Sequence, residues 1–316
     1  MAKALILTDG KAGHENQSRA FARALGLVCD VREIHFRSQA AKALSYVASR
    51  LFGCYSIRLF DRTLDVAAGD YAAVIGTGSG TFYAAVAYAR RLGVKCGVVL
   101  YPRGYRLKSF DCILAPQFDR PIPAPQIVEI PANLVATDAT FYEKGVAAFD
   151  EHYLRVNGRA RATDRPAVGV VVGGPNKCST LSPEWMRREL DRIFAENAGS
   201  LLWVTTSRRT PPEVEAVVRN YAWDYRLLYS EDHFNPIPAF VARARRLYVT
   251  AESTGMLSEA CTAGSAEVRV LDNLKPGPSK FRRFVEDLKR QGYVDGSNKI
   301  DLSTRFAAAR RLMGLA

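Results

Sequence analysis

Residues 4–25 read ALILTDGKAGHENQSRAFARAL, and this stretch decides the fold. The apolar run 4–7 is typical of a buried strand, residues 8–17 form a polar loop with two glycines, and helical spacing starts at Ser18. This order predicts the first βα unit of an open α/β sheet, where ligands bind at the carboxyl ends of strands. A histidine side chain can accept and release protons in catalysis, so His14 is a candidate base. Alternatively, the loop only caps the helix.

Apolar runs and helical segments alternate along the rest of the chain in two series. The first has runs near 28–34, 72–76, 95–100, 111–115 and 127–130, and the second has runs at 167–172, 200–205, 225–229, 246–250 and 266–270. Alternation of this kind predicts parallel sheets covered by helices. We therefore expect two Rossmann-like α/β domains that face each other across a cleft. The predicted boundaries are 1–157, a polar linker at 157–166, a second domain at 166–300, and a final helix within 301–316.

The composition limits the function classes. The 316 residues carry 44 lysines and arginines against 32 acidic residues, a formal charge of +12, which favours anionic partners. No nucleic-acid-binding module is recognisable, so we expect no nucleic-acid partner. The six cysteines are isolated, so neither a metal site nor a disulfide framework is expected. No apolar run is long enough to span a membrane and the start does not resemble a signal peptide, so we expect a cytoplasmic protein.

Several loops after predicted strands carry candidate ligands for a phosphate or a sugar. In the first half, the glycine-rich loop at 76–80 lacks the spacing of a dinucleotide or P-loop motif, and its glycines serve either a substrate or helix packing. In the second half, glycines at 173–174 bring backbone N–H groups close to an anion, and nearby cations supply charge. The alternative for Ser207 and Thr210 is helix capping. The second-half candidates are Gly173, Gly174, Asn176, Lys177, Ser207 and Arg208.

A third loop, at 250–260, carries two glutamates. Glu259 lies about two helical turns beyond Glu252, and a carboxylate there can accept hydrogen bonds from the vicinal hydroxyls of a ribose. Glu252 and Ser253 can equally be ordinary residues of a helix N-terminus. The candidates in this loop are Glu252, Ser253, Thr254, Ser258 and Glu259.

Five motifs, in the same order, are similar to those of the mitochondrial fission factor family named for elongated mitochondria in plants, and of its bacterial relatives. They are TDGKxGHxNQ at 8–17, GPN at 174–176, TTSRRTP at 205–211, NP at 235–236 and TxESxxMxSEA at 250–260. The resemblance implies the two-domain GT-B glycosyltransferase fold, with a nucleotide sugar as co-substrate bound mainly by the second half, an acceptor bound mainly by the first half, and no metal. It also implies that the last helix crosses back to the first domain. At 264–267 the chain reads GSAE where the family usually has Gly-Lys-Pro, which leaves donor-loop detail open.

The resemblance assigns roles to these residues. By position, His14 matches the histidine of the Gly-Gly-His loop in the peptidoglycan transferase and is the candidate base, with Asp9 as second choice. The diphosphate would sit against Gly173 and Gly174, near Ser253 and Thr254, with Lys177 or Arg208 offsetting its charge. The acceptor-side candidates are Gly10, Lys11, Gly13, Asn16, Gln17, Gly78 and Ser79. A transferase with a single base is expected to invert the configuration at the anomeric carbon of the transferred sugar.

The acceptor is expected to be anionic, either lipid-linked or of the lipopolysaccharide type. Residues 40–60 combine apolar residues with Lys42, Arg50 and Arg58, a pattern typical of a helix on an anionic membrane surface such as the inner membrane. The alternative is an ordinary helix packed on the sheet.

Two other classes of function stay open: a non-catalytic GT-B-fold scaffold or membrane-recruitment protein, and a sugar-nucleotide oxidoreductase or epimerase. The latter class requires a dinucleotide fingerprint that residues 10–13 do not supply.

Overall fold

A computed structural model describes residues 2–135, 139–161 and 164–315. Its strands are β1 Lys3–Thr8, β2 Val28–Glu33, β3 Ala73–Thr77, β4 Lys95–Val99, β5 Cys112–Pro116, β6 Ile127–Ile130, β7 Ala167–Val171, β8 Leu201–Thr205, β9 Tyr225–Leu227, β10 Ala244–Thr250 and β11 Glu267–Leu271. Its α-helices are α1 Ala12–Ala24, α2 Gln39–Val47, α3 Phe82–Leu92, α4 Ala139–Asn157, α5 Pro183–Glu196, α6 Pro212–Arg219, α7 Ile237–Arg243, α8 Thr254–Thr262, α9 Lys280–Arg290 and α10 Ser303–Leu312.

The chain divides into two compact units. Unit 1 comprises Met1–Ala136 and Asp301–Ala316, and unit 2 comprises Thr137–Ile300. Unit 1 contains a parallel sheet in the order β2-β1-β3-β4-β5-β6, and unit 2 contains a parallel sheet in the order β11-β10-β7-β8-β9. Each strand predicted from the apolar runs is present within about two residues, because buried parallel strands read as short continuous apolar segments.

Each sheet has a point where the strand order reverses. In unit 1 the chain moves from β1 to β2 on one side and then to β3 on the other, and in unit 2 it moves from β7 to β8 and later to β10. Ligands of open α/β sheets bind beside the carboxyl ends of the strands at such switch points. The loops that follow β1 and β3, and those that follow β7 and β10, are therefore the places to look for a site.

The start of α1 differs from the prediction. The structure begins this helix at Ala12, whereas the sequence analysis began it at Ser18 and read residues 8–17 as loop. The backbone N–H groups of His14 and Glu15 both donate to the Lys11 carbonyl, which closes the first turn. Gly13 costs helix stability but does not prevent a helix, so a glycine-based reading placed the start too late. His14 consequently lies in the first turn of a helix.

The boundary between the units also differs from the prediction, which ended the first domain at residue 157. Helix α4 belongs to unit 2, where Phe149 packs against Trp203, Tyr225 and Phe240. A Cβ at Gly145 would lie 2.4 Å from Pro238 Cβ, so only glycine allows α4 to approach α7 this closely. The predicted linker at 157–166 therefore lies inside unit 2, and its residues Ala162 and Thr163 fall outside the described residues.

Helix α10 packs in unit 1 although it is distant from that unit in sequence. It contacts β5 and β6, and Arg310 Nε donates a hydrogen bond to the Ala24 carbonyl at 2.8 Å. Gly97 leaves room for Phe21 and Met313, since a Cβ there would lie 2.7 Å from the Phe21 ring. None of the helices in the described part of the chain has the length and hydropathy needed to cross a membrane.

Candidate functional site

The loop after β1 brings a histidine and an aspartate together. His14 Nδ1 lies 3.0 Å from Asp9 Oδ1, and Lys11 Nζ lies 2.7 Å from Asp9 Oδ2. The Asp9 side chain is nearly buried, whereas the His14 side chain remains 24% exposed. When Nδ1 donates to Asp9, the lone pair of His14 is left on Nε2. A histidine that is oriented by a carboxylate and partly open to solvent can accept a proton from a hydroxyl group.

The electrostatics of Asp9 favour a supporting role. Burial raises the pKa of its carboxyl group, but the hydrogen bond from Lys11 and the interaction with His14 outweigh burial, so the pKa lies below its ordinary value. Asp9 is therefore ionised near neutral pH, with both oxygens engaged. Such a carboxylate orients an imidazole and is a weak base itself.

Two glycines of the loop after β3 allow this loop to approach the pair. A Cβ at Gly78 would lie 2.4 Å from His14 Cε1, and a Cβ at Gly80 would lie 2.9 Å from Asp9 Oδ2. Gly78 also has a φ of +84°, a conformation that glycine adopts without strain. By contrast, Gly76 makes room for Thr81 and Ala85 of the following helical segment. The glycine-rich loop thus serves both helix packing and the placement of His14.

A pocket of about 410 Å³ opens beside Asp9 in unit 1. It is lined by Asp9, Lys11, Ile34, His35, Phe36, Ser38, Gln39, Lys42 and Gly80. Among these lining residues, Lys42 has its Nζ 3.2 Å from Ser79 Oγ. The pocket therefore combines a carboxylate, two ammonium groups and a hydroxyl, which suits a polar ligand.

The other acceptor-side candidates lie around α1. Gly10 has a φ of +77° and lies against Glu33, while Gly13 and Asn16 are exposed. Gln17 is buried, and its Nε2 donates to the Gly13 carbonyl at 3.2 Å. The structure thus brings together Asp9, Gly10, Lys11, His14, Gly78 and Ser79, with Gln17 supporting the helix below.

At the switch point of unit 2, Glu252 holds a buried hydrogen-bond network. Its Oε1 accepts from Thr250 Oγ1 at 3.0 Å and its Oε2 accepts from Asn273 Nδ2 at 2.7 Å. Thr250 Oγ1 in turn accepts the backbone N–H of Gly173 at 2.9 Å. Because Glu252 is 3% exposed and Gly173 uses its N–H internally, both act as scaffold. The expectation that the Gly173 N–H faces a ligand anion is therefore wrong.

The loops after β7 and β8 pack tightly on each other. A Cβ at Gly174 would lie 2.3 Å from Arg209 Cβ, and a Cβ at Gly173 would lie 1.9 Å from Glu252 Oε1. Thr210 Oγ1 donates to the Gly173 carbonyl at 2.7 Å and accepts the Ser207 N–H at 2.8 Å. The two glycines are thus required by packing.

Several donor-side candidates remain accessible beside this scaffold. Lys177 and Arg208 are exposed, and Asn176 Oδ1 accepts the N–H of Cys178 at 2.7 Å. Ser253 and Thr254 are half-buried at the start of α8, while Ser258 is buried and donates to the Thr254 carbonyl at 2.6 Å. The N-terminus of α8 and the two cations are therefore the parts of this switch point that a phosphate can reach.

Glu259 lies on α8 beyond that N-terminus and contacts α4. Tyr142 Oη donates to Glu259 Oε1 at 3.2 Å. Burial raises the pKa of Glu259, and the hydrogen bond from Tyr142 lowers it in part. Unlike Glu252, Glu259 is only partly buried. It keeps the capacity to accept hydrogen bonds from a ligand.

Helix α2 and the helical turn that continues it, Ala48–Phe52, bury two serines and leave four large apolar side chains exposed. Ser45 and Ser49 are fully buried, bonded to Tyr105 and Tyr55 respectively. Large apolar side chains of the same segment are between 46% and 70% exposed, namely Leu44, Val47, Leu51 and Phe52. We call these four residues the apolar patch. The alternative of an ordinary packed helix holds in part, because Tyr46 and Ala48 pack against the core of unit 1.

Comparison with known proteins identifies the family. The sequence profile described as "Mitochondrial fission ELM1" matches residues 12–307, nearly the whole chain. The chain belongs to this family. The family inferred from the sequence motifs is therefore confirmed. A curated relative, the uncharacterized protein RP120 of Rickettsia prowazekii, is 26% identical over 129 residues, 39% of this chain. That match spans about a third (36%) of the relative's own length.

Solved structures share the fold of this ELM1-family chain at low sequence identity. A protein from Listeria monocytogenes assigned as a UDP-N-acetylglucosamine 2-epimerase has a TM-score of 0.53 at 11% identity, covering 99% of this chain and 87% of that one. The UDP-GlcNAc 2-epimerase of Neisseria meningitidis, bound to UDP-GlcNAc, has a TM-score of 0.50 at 11% identity. The match covers 99% of this chain and 98% of the epimerase chain. The predicted GT-B architecture of two Rossmann-like units is thereby confirmed.

The sequence analysis missed residues that support the predicted ones. Thr250 and Asn273 complete the Glu252 network, and Tyr142 contacts Glu259. Lys42 was noted only as part of the basic segment, and its contact with Ser79 was missed. Thr250 was within a quoted motif, but its contact with Gly173 joins residues far apart in sequence. No spacing pattern signals such contacts.

Proposed function

We propose that this chain is a glycosyltransferase that moves a sugar from a nucleotide-sugar donor to an anionic or lipid-linked acceptor. The observation that carries the proposal is the His14–Asp9 pair at the switch point of unit 1, with glycines at 78 and 80 that fit the loop around it. The His14 side chain is 24% exposed, so a ligand can reach the oriented imidazole. Active sites are where such pairs are arranged.

The donor is assigned to unit 2. The diphosphate would approach the N-terminus of α8 at Ser253 and Thr254, with Lys177 and Arg208 offsetting the charge that develops on the leaving nucleotide. Glu259 would accept the hydroxyls of the ribose. Support comes from the accessibility of these groups, and from a protein of the same fold that was solved with UDP-GlcNAc.

His14 would remove the proton from the acceptor hydroxyl as it attacks the anomeric carbon. The C–O bond to the acceptor forms, the bond to the nucleotide diphosphate breaks, and the proton passes to His14 Nε2. The Asp9 carboxylate stabilises the imidazolium that results. A single displacement of this kind inverts the anomeric configuration.

We further propose that the acceptor is reached at an anionic membrane surface. The apolar patch supports this, since contiguous exposed apolar side chains commonly mark interaction surfaces. The sequence from 34 to 60 contains Arg37, Lys42, Arg50 and Arg58 and no acidic residue. Basic residues around an apolar patch suit an anionic bilayer.

Vesicle binding tests the membrane contact. The full chain should sediment with vesicles that contain anionic lipid and much less with neutral ones, and added salt should weaken binding. Leu51→Ser with Phe52→Ser, and separately Arg50→Glu with Arg58→Glu, should reduce binding. The matched control is Ile122→Ser, because Ile122 is 68% exposed elsewhere in unit 1. Equal binding to both kinds of vesicle, or none at low salt, would contradict the membrane contact.

Acceptor-dependent transfer of labelled sugar tests the enzymatic proposal. Labelled nucleotide sugars are incubated with the full chain, with and without a lipid extract, and label in the lipid phase is measured. Transfer that requires the extract supports a glycosyltransferase. Conversion of the nucleotide sugar without any acceptor would instead indicate an epimerase-like reaction. Nucleotide binding without turnover, or no binding at all, would favour the non-catalytic scaffold.

A further inference from the structure

The pocket beside Asp9 contains a cation that the proposed chemistry has not used. We propose that this pocket binds an anionic oxygen group of the acceptor, a phosphate or a carboxylate, with Lys42 as its principal ligand. The inference rests on the proposed function, since it assigns a chemical class to the acceptor at the same site. Its evidence is the charge distribution among the lining residues.

Most of the charges around the pocket are already paired. Asp9 is engaged by Lys11 at 2.7 Å and by His14 at 3.0 Å. Outside the lining, Glu33 is engaged by His35 Nε2 at 2.8 Å. Lys42 differs, because the neutral hydroxyl of Ser79, at 3.2 Å, is its partner, and no carboxylate in the described residues pairs with it. An ammonium group has three donors, so Lys42 keeps two for a ligand.

The position of Lys42 on its helix points the same way. Lys42 lies in the first turn of α2, where the helix dipole disfavours a cation. Ser38 Oγ caps this end by accepting the N–H of Ala41 at 3.1 Å, and Ser38 and Gln39 line the pocket. An anion in the pocket would face both the ammonium group and the positive end of the helix. Both interactions favour a phosphate or carboxylate oxygen.

The contact with Ser79 places this cation next to the candidate base. Ser79 lies between Gly78, which packs on His14, and Gly80, which packs on Asp9. A ligand whose anionic group is held by Lys42 therefore has its neighbouring atoms beside the His14–Asp9 pair. The arrangement suits an acceptor that carries its anionic group close to the hydroxyl that reacts.

Hydrogen exchange measured by mass spectrometry can test the pocket, because it reads each segment separately. Pyrophosphate and glutarate serve as the phosphate and carboxylate probes, and UDP is tested alone on the full chain. We expect pyrophosphate to protect peptides that cover 35–45 and 78–82. Glutarate should protect the same peptides if a carboxylate suffices, and should leave them unchanged if the pocket requires a phosphate.

Variants of Lys42 provide the decisive comparison. Lys42→Met should weaken the affinity for the protecting anion about tenfold, while Lys42→Arg should retain most of it. The matched control is Lys108→Met, an exposed lysine elsewhere in unit 1. Protection by neither anion at 35–45, or equal affinity in Lys42→Met and wild type, would overturn the inference. If UDP protects peptides at 252–259 but neither anion protects 35–45, the pocket proposal fails and the donor site stands. If an anion protects 35–45 but UDP does not protect 252–259, the pocket is supported and the proposed donor site is contradicted.

Discussion

The two switch points use the same topology for different purposes. In unit 1, Gly78 makes room for His14, a titratable side chain that is 24% exposed. In unit 2, Gly173 makes room for Glu252, a carboxylate that is 3% exposed and bonded to Thr250 and Asn273. Close approach by glycine thus makes room for a partly exposed histidine in one unit and for a buried, hydrogen-bonded carboxylate in the other. Exposure and hydrogen bonding, more than residue type, separate the two roles.

The largest effect is expected at His14. His14→Ala should lower the transfer rate about a hundredfold to ten-thousandfold, because a positioned base contributes on that scale. The unfolding midpoint and nucleotide affinity should stay near those of the wild type. Rates are measured with labelled donor and lipid extract. If the folded variant transferred sugar as fast as the wild type, His14 would not be the base, and the proposed difference in role between the two switch points would be contradicted.

The placement of His14 can be disturbed without altering the residue itself. Gly78→Ala would put a Cβ 2.4 Å from the imidazole, so the ring must move, and we expect at least a tenfold lower transfer rate. Gly93→Ala is the control, because Gly93 also has a positive φ but no neighbouring atom within 4 Å. Both variants should lose similar stability from backbone strain, about 1–2 kcal/mol. A similar loss of activity in both would show that strain alone explains it.

In unit 2 the scaffold role of Glu252 predicts a loss of stability. Glu252→Ala leaves Thr250 and Asn273 without their buried partner, which should cost about 1–3 kcal/mol for each group left unpaired. Glu259→Ala should change the free energy of unfolding far less, since Glu259 is partly exposed and its burial disfavours the charged form. Denaturant unfolding of both variants gives the comparison. Equal losses would mean that the two glutamates do not differ in role.

The smallest effect concerns the pH dependence of nucleotide binding. Because burial raises the pKa of Glu259, its carboxylate gains a proton at a higher pH than an ordinary glutamate, and nucleotide affinity should fall as the pH falls through that range. The Tyr142 hydrogen bond lowers this pKa, so Tyr142→Phe should move the loss of affinity to higher pH. Tyr221→Phe is the control, since Tyr221 bonds Asp191 elsewhere in unit 2. A profile unchanged by Tyr142→Phe would contradict the assignment.

The sequence predicted the sheet elements well because buried parallel strands are short apolar runs, as in residues 4–8 and 167–171. It misplaced the start of α1 because Gly13 reads as loop. It misassigned α4 because a polar linker at 157–166 suggested a boundary, whereas the packing of Phe149 decides where the helix belongs. A local stretch of sequence indicates which secondary structure its residues favour, but tertiary contacts can override that propensity.

The candidate residues were predicted together with roles, but the sequence did not separate buried scaffold residues from accessible ones. Spacing placed Glu252 and Glu259 in one motif, yet only the structure shows that Glu252 is buried and bonded to Asn273 while Glu259 is partly exposed and bonded to Tyr142. Lys42 was noted as one basic residue of a membrane segment, and its contact with Ser79 joins positions 37 residues apart. Such long-range pairs carry no signal in a single sequence.

The central claim is that unit 2 binds a nucleotide through Glu259 while unit 1 supplies the base. Isothermal titration of UDP, GDP, ADP and CDP into the wild type, Glu259→Ala and His14→Ala tests it most directly. We predict that at least one nucleotide binds the wild type and His14→Ala equally. Glu259→Ala should bind that nucleotide more weakly by about 1.5–3 kcal/mol. No binding of any nucleotide, or binding to Glu259→Ala as tight as to the wild type, would contradict the claim.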